Sequence, residues 1–307
     1  MKIVYLGTPD FAVLPLKYIV EKTNHQVVAV VTNCDKPVGR KQVLTPPPVK
    51  LFANKNNIPV FQYNKIKIEG VNDLKKLDAD VFITCAFGQI LSQEILDLPK
   101  YGVINIHASL LPKYRGASPI HFAILNGERK TGITIMKTHI GIDTGDILIQ
   151  ESLDIGKEET CGQLFERLSL LGAECIVKAL ALIESGKANF IKQDDNKATF
   201  SKIIRKEMAK IDWNNDSVFI YNQVRAFNPS PICYTTLNGE PFKIYGCKIV
   251  DFTGNPGEIL SVDNELVVAC KDKSLSLLSV QKAGGKQMSA VDFLRGNKLS
   301  VGDKLGL

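Results

Sequence analysis

Short apolar runs alternate with amphipathic stretches through the first half of the chain. Residues 2–6 (KIVYL) form a β-branched run closed by Gly7-Thr8-Pro9, and a helical pattern follows over residues 11–21. Gln26–Thr32 (QVVAVVT) reads as a second strand. Pro46, Pro47 and Pro48 lead into an amphipathic stretch at 49–54, and residues 80–85 (DVFITC) and 102–106 are further short strands. Such alternation predicts βαβ units: an α/β fold with a Rossmann-like, mostly parallel sheet, helices on both faces, and ligands at the carboxyl ends of the strands. Leu164, Leu168, Leu171, Cys175, Val177, Leu180 and Ile183 recur at helical spacing, so Cys161–Glu184 is expected as one long helix ending near Gly186.

The pattern changes after that helix. Residues 187–210 are polar and basic without strong periodicity, which predicts a linker with a short strand around 198–201. A helical segment at 218–226 precedes five strand-like runs at Cys233–Leu237, 242–250, 257–262, 266–270 and 275–280. Turn residues such as Asn238-Gly239 and Asn255-Pro256-Gly257 separate them. Five short strands in succession suggest a small C-terminal OB-like β-barrel. The expected division is an α/β domain at 1–186, a basic linker at 187–210 and a barrel domain at 211–307.

Composition narrows the class. With 307 residues, 45% hydrophobic and 23% charged, the chain is globular and about two domains long, which excludes a disordered chain or a collagen-like repeat. No apolar run reaches the roughly 18–20 residues of a membrane span, and the N-terminus turns polar at Thr8, too soon for a leader's apolar core. The seven cysteines are scattered singly without C-x-x-C spacing, so a reduced, cytoplasmic protein without a structural zinc site is expected.

The net charge of +6 is unevenly placed. Lys36, Arg40, Lys41 and Lys50 against Asp35 give residues 35–50 a net +3. Seven Lys and Arg against three Asp and Glu give residues 187–210 a net +4, which leaves −1 for the remainder. Two basic segments on a near-neutral body are the footprint expected for a polyanionic partner, although a charge run is more often simply solvated.

The first strand–helix turn does not fit a nucleotide site. Gly7 stands alone where a dinucleotide fingerprint needs G-x-G-x-x-G, and no Walker lysine is present, so NAD and ATP are disfavoured. Thr8 and Pro9 instead suit an N-cap and a first helical position. The chemistry-bearing stretch is Asn105-Ile106-His107-Ala108-Ser109-Leu110-Leu111-Pro112-Lys113-Tyr114-Arg115-Gly116. Asn105 and His107, two apart on a strand, project to one face, where a carboxamide and an imidazole donate to an oxygen gaining charge in acyl transfer. Leu110-Leu111-Pro112 predicts an extended apolar turn bordering a cleft. Asp143, in Ile140-Gly141-Ile142-Asp143-Thr144-Gly145-Asp146, is the expected carboxylate partner, with two glycines supplying the turn; Asp146 is the alternative. A carboxylate beside His107 holds the imidazole charged and accepts a proton. Cys85 and His121 read as structural, and His139 as nearer the site.

The 105–116 stretch, with Asp143-Thr144-Gly145 beginning 36 residues after His107, resembles the folate-dependent formyltransferases. Three further stretches are similar to the methionyl-tRNA formyltransferase family within that superfamily. They are Leu6-Gly7-Thr8-Pro9-Asp10-Phe11-Ala12, the basic insertion from Asp35 through Lys50, and Ile211-Asp212-Trp213. One departure is Pro229-Ser230-Pro231-Ile232, where the family has a Pro-Trp-Pro-Gly-like turn. The resemblance implies formyl transfer from 10-formyltetrahydrofolate, as co-substrate, to the α-amino group of methionyl initiator tRNA in translation initiation, without a metal. It implies that Asn105 and protonated His107 stabilise the oxyanion while Asp143 takes the amine's proton. It also implies that Ser109, Leu110, Leu111, Pro112, Phe87, Gly88 and Ile90 border the folate, and that Arg40, Lys41 and Lys206 face tRNA. A monomer is expected. Competing readings are formylation of a small amine, a non-catalytic RNA-binding protein, and a nicotinamide dehydrogenase, the last failing at the missing glycines.

Overall fold

Seven strands share one sheet: β1 Lys2–Gly7, β2 Gln26–Thr32, β3 Val60–Gln62, β4 Val81–Cys85, β5 Val103–His107, β6 Lys130–Lys137 and β7 Ile147–Asp154. Their order is β7-β6-β5-β4-β1-β2-β3. The computed structural model describes residues 1–39 and 41–306. β1 runs parallel to β2 and β4, β4 to β5, and β2 to β3. β6 is antiparallel to β5, pairing Ile104 with Lys137 and His107 with Thr134. Central parallel strands are covered on both faces and therefore read as continuous apolar runs. All five residues of β4 and the last five of β1 are buried accordingly. Val4, Leu6, Val31, Phe82 and Phe87 lie in one core cluster.

Strand order reverses between β1 and β4, and at such a switch point the strand ends open a crevice. The loops there are tied by side chains. Thr8 does not cap a helix as the sequence suggested: the first turn is a 3-10 helix at Asp10–Ala12 with Pro9 before it, followed by the helix Val13–Lys22. The Thr8 hydroxyl instead donates to the Phe87 carbonyl at 3.2 Å and accepts from the Asn33 amide. The basic insertion is a small hairpin, Lys36–Val38 against Val43–Thr45. At its base Lys50 Nζ lies 2.9 Å from both Asp35 oxygens and donates to Gln62 Oε1 at 2.7 Å. These contacts from Lys50, then Gln62, hold the Asp35 carboxyl below its usual pKa.

The chain forms two compact units. The first comprises Met1–Pro119, Lys130–Leu153 and Phe165–Lys202; the second comprises Ile120–Arg129, Asp154–Leu164 and Ile203–Leu307. This division differs from cuts at 186 and 210. Residues 187–202 count with the first unit because Phe200–Ser201 pairs with Arg115–Gly116 and Ile191 bridges Ile147. The long helix spans Cys161–Glu184 as its spacing predicts.

The second unit carries a curled antiparallel sheet, a half-barrel: β8 Cys233–Leu237, β9 Glu240–Val250, β10 Ile259–Ser261, β11 Leu266–Ala269 and β12 Ser274–Lys282, with the two-residue strand Met288–Ser289 pairing to β12 as a sixth. The order is β8-β9-β12-β11-β10. Asn238 and Gly239 take φ of 52° and 77° and close the β8–β9 hairpin, the left-handed pair that a two-residue turn demands. Register shifts between Ile244 and Cys247 bend β9 around the core. Ile232, at the turn that departs from the family pattern, sits at φ 67°, an unusual conformation for a β-branched residue.

His121 packs in this unit with its ring centroid 6.4 Å from that of Phe227. Burial lowers its pKa, only partly offset by a hydrogen bond to the Ser230 backbone. The unfolded chain therefore takes up the proton first as pH falls, so stability is level above about 6.5 and declines below it. Thermal unfolding is expected to show a lower midpoint at pH 5 than at pH 7, with a smaller difference in His121→Gln. His25, lowered mainly by burial as well, retains part of the slope in that variant. No helix of the described residues is long and apolar enough to cross a membrane.

Candidate active site

Alternation along β5 puts Asn105 and His107 on one face of the sheet. Thr84 is the cross-strand partner of Asn105 in β4, and its hydroxyl donates to Asn105 Oδ1 at 2.9 Å. This bond turns the carboxamide so that its two N–H groups remain for a ligand oxygen. His107 is nearly enclosed, with 7% of its side chain exposed. Its Nε2 donates to the Tyr114 carbonyl at 3.0 Å, and its Nδ1 stands 3.6 Å from Asp143 Oδ2. The first contact is a hydrogen bond; the second is an ion-pair distance too long for one.

The Asp143 loop is held from outside. The amide of Gly116 donates to Asp143 Oδ2 at 2.8 Å, which leaves Oδ1 as the freer oxygen. Gln193 Nε2 donates to the carbonyls of Asp143 (2.8 Å) and Gly145 (2.7 Å). The left-handed turn is made by Asp143 itself, at φ 51°, and not by the flanking glycines. Gly145 is there for space: a Cβ on it would overlap the carbonyl oxygen of Lys137. Of the two candidate carboxylates, Asp143 reaches His107, while Asp146 accepts the Lys137 amide at 2.9 Å through its backbone carbonyl.

The remaining expected residues divide between architecture and surface. Ser109 is fully buried and its hydroxyl donates to the Lys113 carbonyl at 2.7 Å. Thr134 accepts from the Leu111 amide and donates to the Ser109 carbonyl, and Gln150 donates to the Leu111 carbonyl, so the 109–112 turn is pinned to β6 and β7. Leu111 is buried, whereas Leu110 and Pro112 are partly exposed. Phe87 is a core residue; Gly88 and Ile90 are exposed, Ile90 to 73%. Gln89 bridges Asn33 Oδ1 and the Tyr63 carbonyl, which fixes this segment. Cys85 is buried and its thiol is pushed up to about 12, as suits a core residue and not a nucleophile. Arg40 lies outside the described residues. Lys41 is exposed in the turn of the basic hairpin, and Lys206 is exposed in the 3-10 helix Lys206–Ala209.

A cavity of about 580 Å³ in the first unit is lined by Gln93, Leu96, Asp97, Val103, Thr138, His139 and Ile140 among others. Its lining residues Gly102, Val103, Lys137 and Thr138 stand at the amino end of β5, the end opposite His107.

The sequence reading named the central three residues but not their supports. Thr84 has a local signal, a hydroxyl position within a predicted strand. Gly116 lies inside the noted motif. Gln193 has none, because its partners are 48 and 50 residues away along the chain.

Comparison with known families adds to this geometry. A model described as formyl transferase matches residues 1–180, and one described as formyl transferase, C-terminal domain, matches 203–298. The chain belongs to the formyl transferase family. Its formyl transferase N-terminal region holds Asn105, His107 and Asp143 together. The methionyl-tRNA formyltransferase of Geobacter sulfurreducens is 44% identical over 308 residues, covering 100% of this chain and 97% of that protein. That of Bacillus cytotoxicus is 45% identical, covering 100% and 99%. Among solved structures, an N-formyltransferase from Helicobacter canadensis with folinic acid and dTDP-3-aminofucose superposes with a TM-score of 0.70 at 23% identity, over 92% of this chain and 99% of that one. HypX from Aquifex aeolicus with tetrahydrofolic acid gives 0.64 at 16% identity, over 96% and 47%. Below 25% identity these two speak for the fold alone.

Proposed function

We propose that this formyltransferase moves the formyl group of 10-formyltetrahydrofolate to the α-amino group of methionyl initiator tRNA. The observation that carries the reading is His107 standing 3.6 Å from Asp143 on the β5 face that Asn105 shares, in a chain similar end to end to methionyl-tRNA formyltransferases. The folate supplies an activated formyl carbon. Asn105 Nδ2 donates to the formyl oxygen as it gains charge. His107 Nδ1–H, not committed to a hydrogen bond with Asp143, donates to the same oxygen, while Nε2 stays on the Tyr114 carbonyl. Asp143 Oδ1 takes the proton from the attacking amine, directly or through water, and returns it to the folate nitrogen as the carbon–nitrogen bond breaks. The amine is the nucleophile, so no covalent enzyme intermediate is required.

The co-substrate is expected in the crevice at the carboxyl ends of β1, β4 and β5, beside the point where the strand order reverses. The exposed Gly88 and Ile90, the partly exposed Leu110 and Pro112, and the backbone around Phe87, Ser109 and Leu111 are the further contacts the resemblance suggests. Arg40, Lys41 and Lys206 are proposed to face the tRNA phosphates.

The test is formyl incorporation into charged initiator tRNA from 10-formyltetrahydrofolate, with an amino-sugar nucleotide as control. Incorporation into the sugar but not the tRNA would overturn the reading. The KM for tRNA is expected to rise steeply with salt, and Lys41→Ala to reduce the slope of log affinity against log salt by about 0.7–0.9. Folate affinity should be unchanged, and equal losses toward both substrates would argue against phosphate contact.

A further inference from the structure

Gln193 is buried, 6% exposed, within an otherwise polar and basic segment. Its carboxamide is fully engaged. Nε2 donates to the carbonyls of Asp143 and Gly145, and Oε1 accepts from Arg115 Nε at 3.2 Å and Nη2 at 2.8 Å. Arg115 is 4% exposed, and its Nη2 also lies 2.7 Å from Asp195 Oδ1. A side chain placed here faces two carbonyl oxygens that need donors and a guanidinium that needs an acceptor. A primary carboxamide meets both demands at once; a carboxylate meets only the second.

We propose that Gln193, braced by Arg115, is the positioning residue of Asp143, a role that rests on the reading of Asp143 given above. Asp143 occupies a left-handed backbone conformation that non-glycine residues adopt only when surroundings hold them there. The Gly116 amide holds its carboxylate, and Gln193 holds its carbonyl and that of Gly145. Both restraints trace to the Arg115–Gly116 strand: one is its own amide, the other is the glutamine that Arg115 orients. Without the Gln193 donors, two carbonyls in a nearly enclosed site lose their partners, and the loop relaxes toward water and away from His107.

Gln193→Glu tests this, because it keeps the side-chain length and the acceptor for Arg115 but removes both N–H donors. The expected result is a fall in kcat of about 10- to 100-fold, the scale of a misplacement near 1 Å, with KM for tRNA and folate little changed and a lowered thermal midpoint, because two buried carbonyls lose their donors. In an Asp143→Asn background the same substitution should change kcat by less than about twofold, since nothing remains to be positioned. Gln193→Met should show the same kcat defect with a still lower thermal midpoint, because Arg115 then also loses a buried acceptor. A near-normal kcat in Gln193→Glu beside an impaired Asp143→Asn overturns the positioning role alone. A full multiplicative loss in the double variant also overturns it, by placing Gln193 in the general scaffold. An unimpaired Asp143→Asn overturns both this proposal and the reading of Asp143 beneath it.

Discussion

Asn105→Ala is expected to lower kcat about 100- to 1000-fold, roughly 3–4 kcal/mol of transition-state stabilisation, with KM for either substrate little altered. In the proposed role the carboxamide donates to an oxygen whose charge exists only as the amine adds, so its removal would cost the transition state and not the ground-state complex. Folding should tolerate the change. Asn105 is partly exposed, and the group that loses a partner, the Thr84 hydroxyl, has the Ile104 carbonyl within 3.4 Å as an alternative acceptor. Initial rates across both substrate concentrations check the split. A defect confined to KM would move Asn105 from stabilising the transition state to binding substrate.

The second large effect is expected at Gly145→Ala. The added Cβ would overlap the Lys137 carbonyl oxygen in the ladder between β6 and β7, and backbone cannot rotate aside as a side chain does. The loop must therefore shift and carry Asp143 with it. A displacement near 1 Å at a reacting group costs about 100-fold in rate, and overpacking costs about 1–3 kcal/mol in stability. Gly141→Ala is the informative partner. Its Cβ would meet the Thr144 side chain, 2.6 Å from the hydroxyl and 3.1 Å from the methyl, but no nearby backbone atom, so a milder loss is expected. Comparing kcat and thermal midpoint for the two variants checks the argument, and equal defects would contradict it.

Elements with local causes were legible in the sequence. The helix Cys161–Glu184 follows from its apolar spacing, and the strands of the half-barrel from runs punctuated by Asn-Gly and Pro-Gly turns. Asn105 and His107 were legible because strand alternation is a two-residue rule. β6 and β7 were not assigned. β6 is apolar but broken by Gly132, and β7 alternates only weakly, with its pairing partner supplied from β6. The basic insertion shows no strand signal because its three-residue strands carry Pro37 and stay exposed, so no buried face imposes a period. Thr8 misled for a related reason: a hydroxyl suited to capping found two better partners, in Phe87 and Asn33, contributed by other strand ends. The supports of Asp143 lie beyond any local window.

That separation along the chain has a consequence for how activity arises during synthesis. Asn105, His107 and Asp143 are all present once β7 has been made, yet the segment that braces the Asp143 loop comes later, with Gln193 50 residues after Asp143. At about 5–20 residues per second, the ribosome needs roughly 2.5–10 s to span that interval. Throughout it the nascent chain holds its reactive groups but lacks the strand Phe200–Ser201 beside Arg115 and the amide that secures Asp143. On the roles proposed for these residues, the site is completed late, by a segment made after all of its reactive groups, and a chain that stops short of Gln193 is expected to be poorly active.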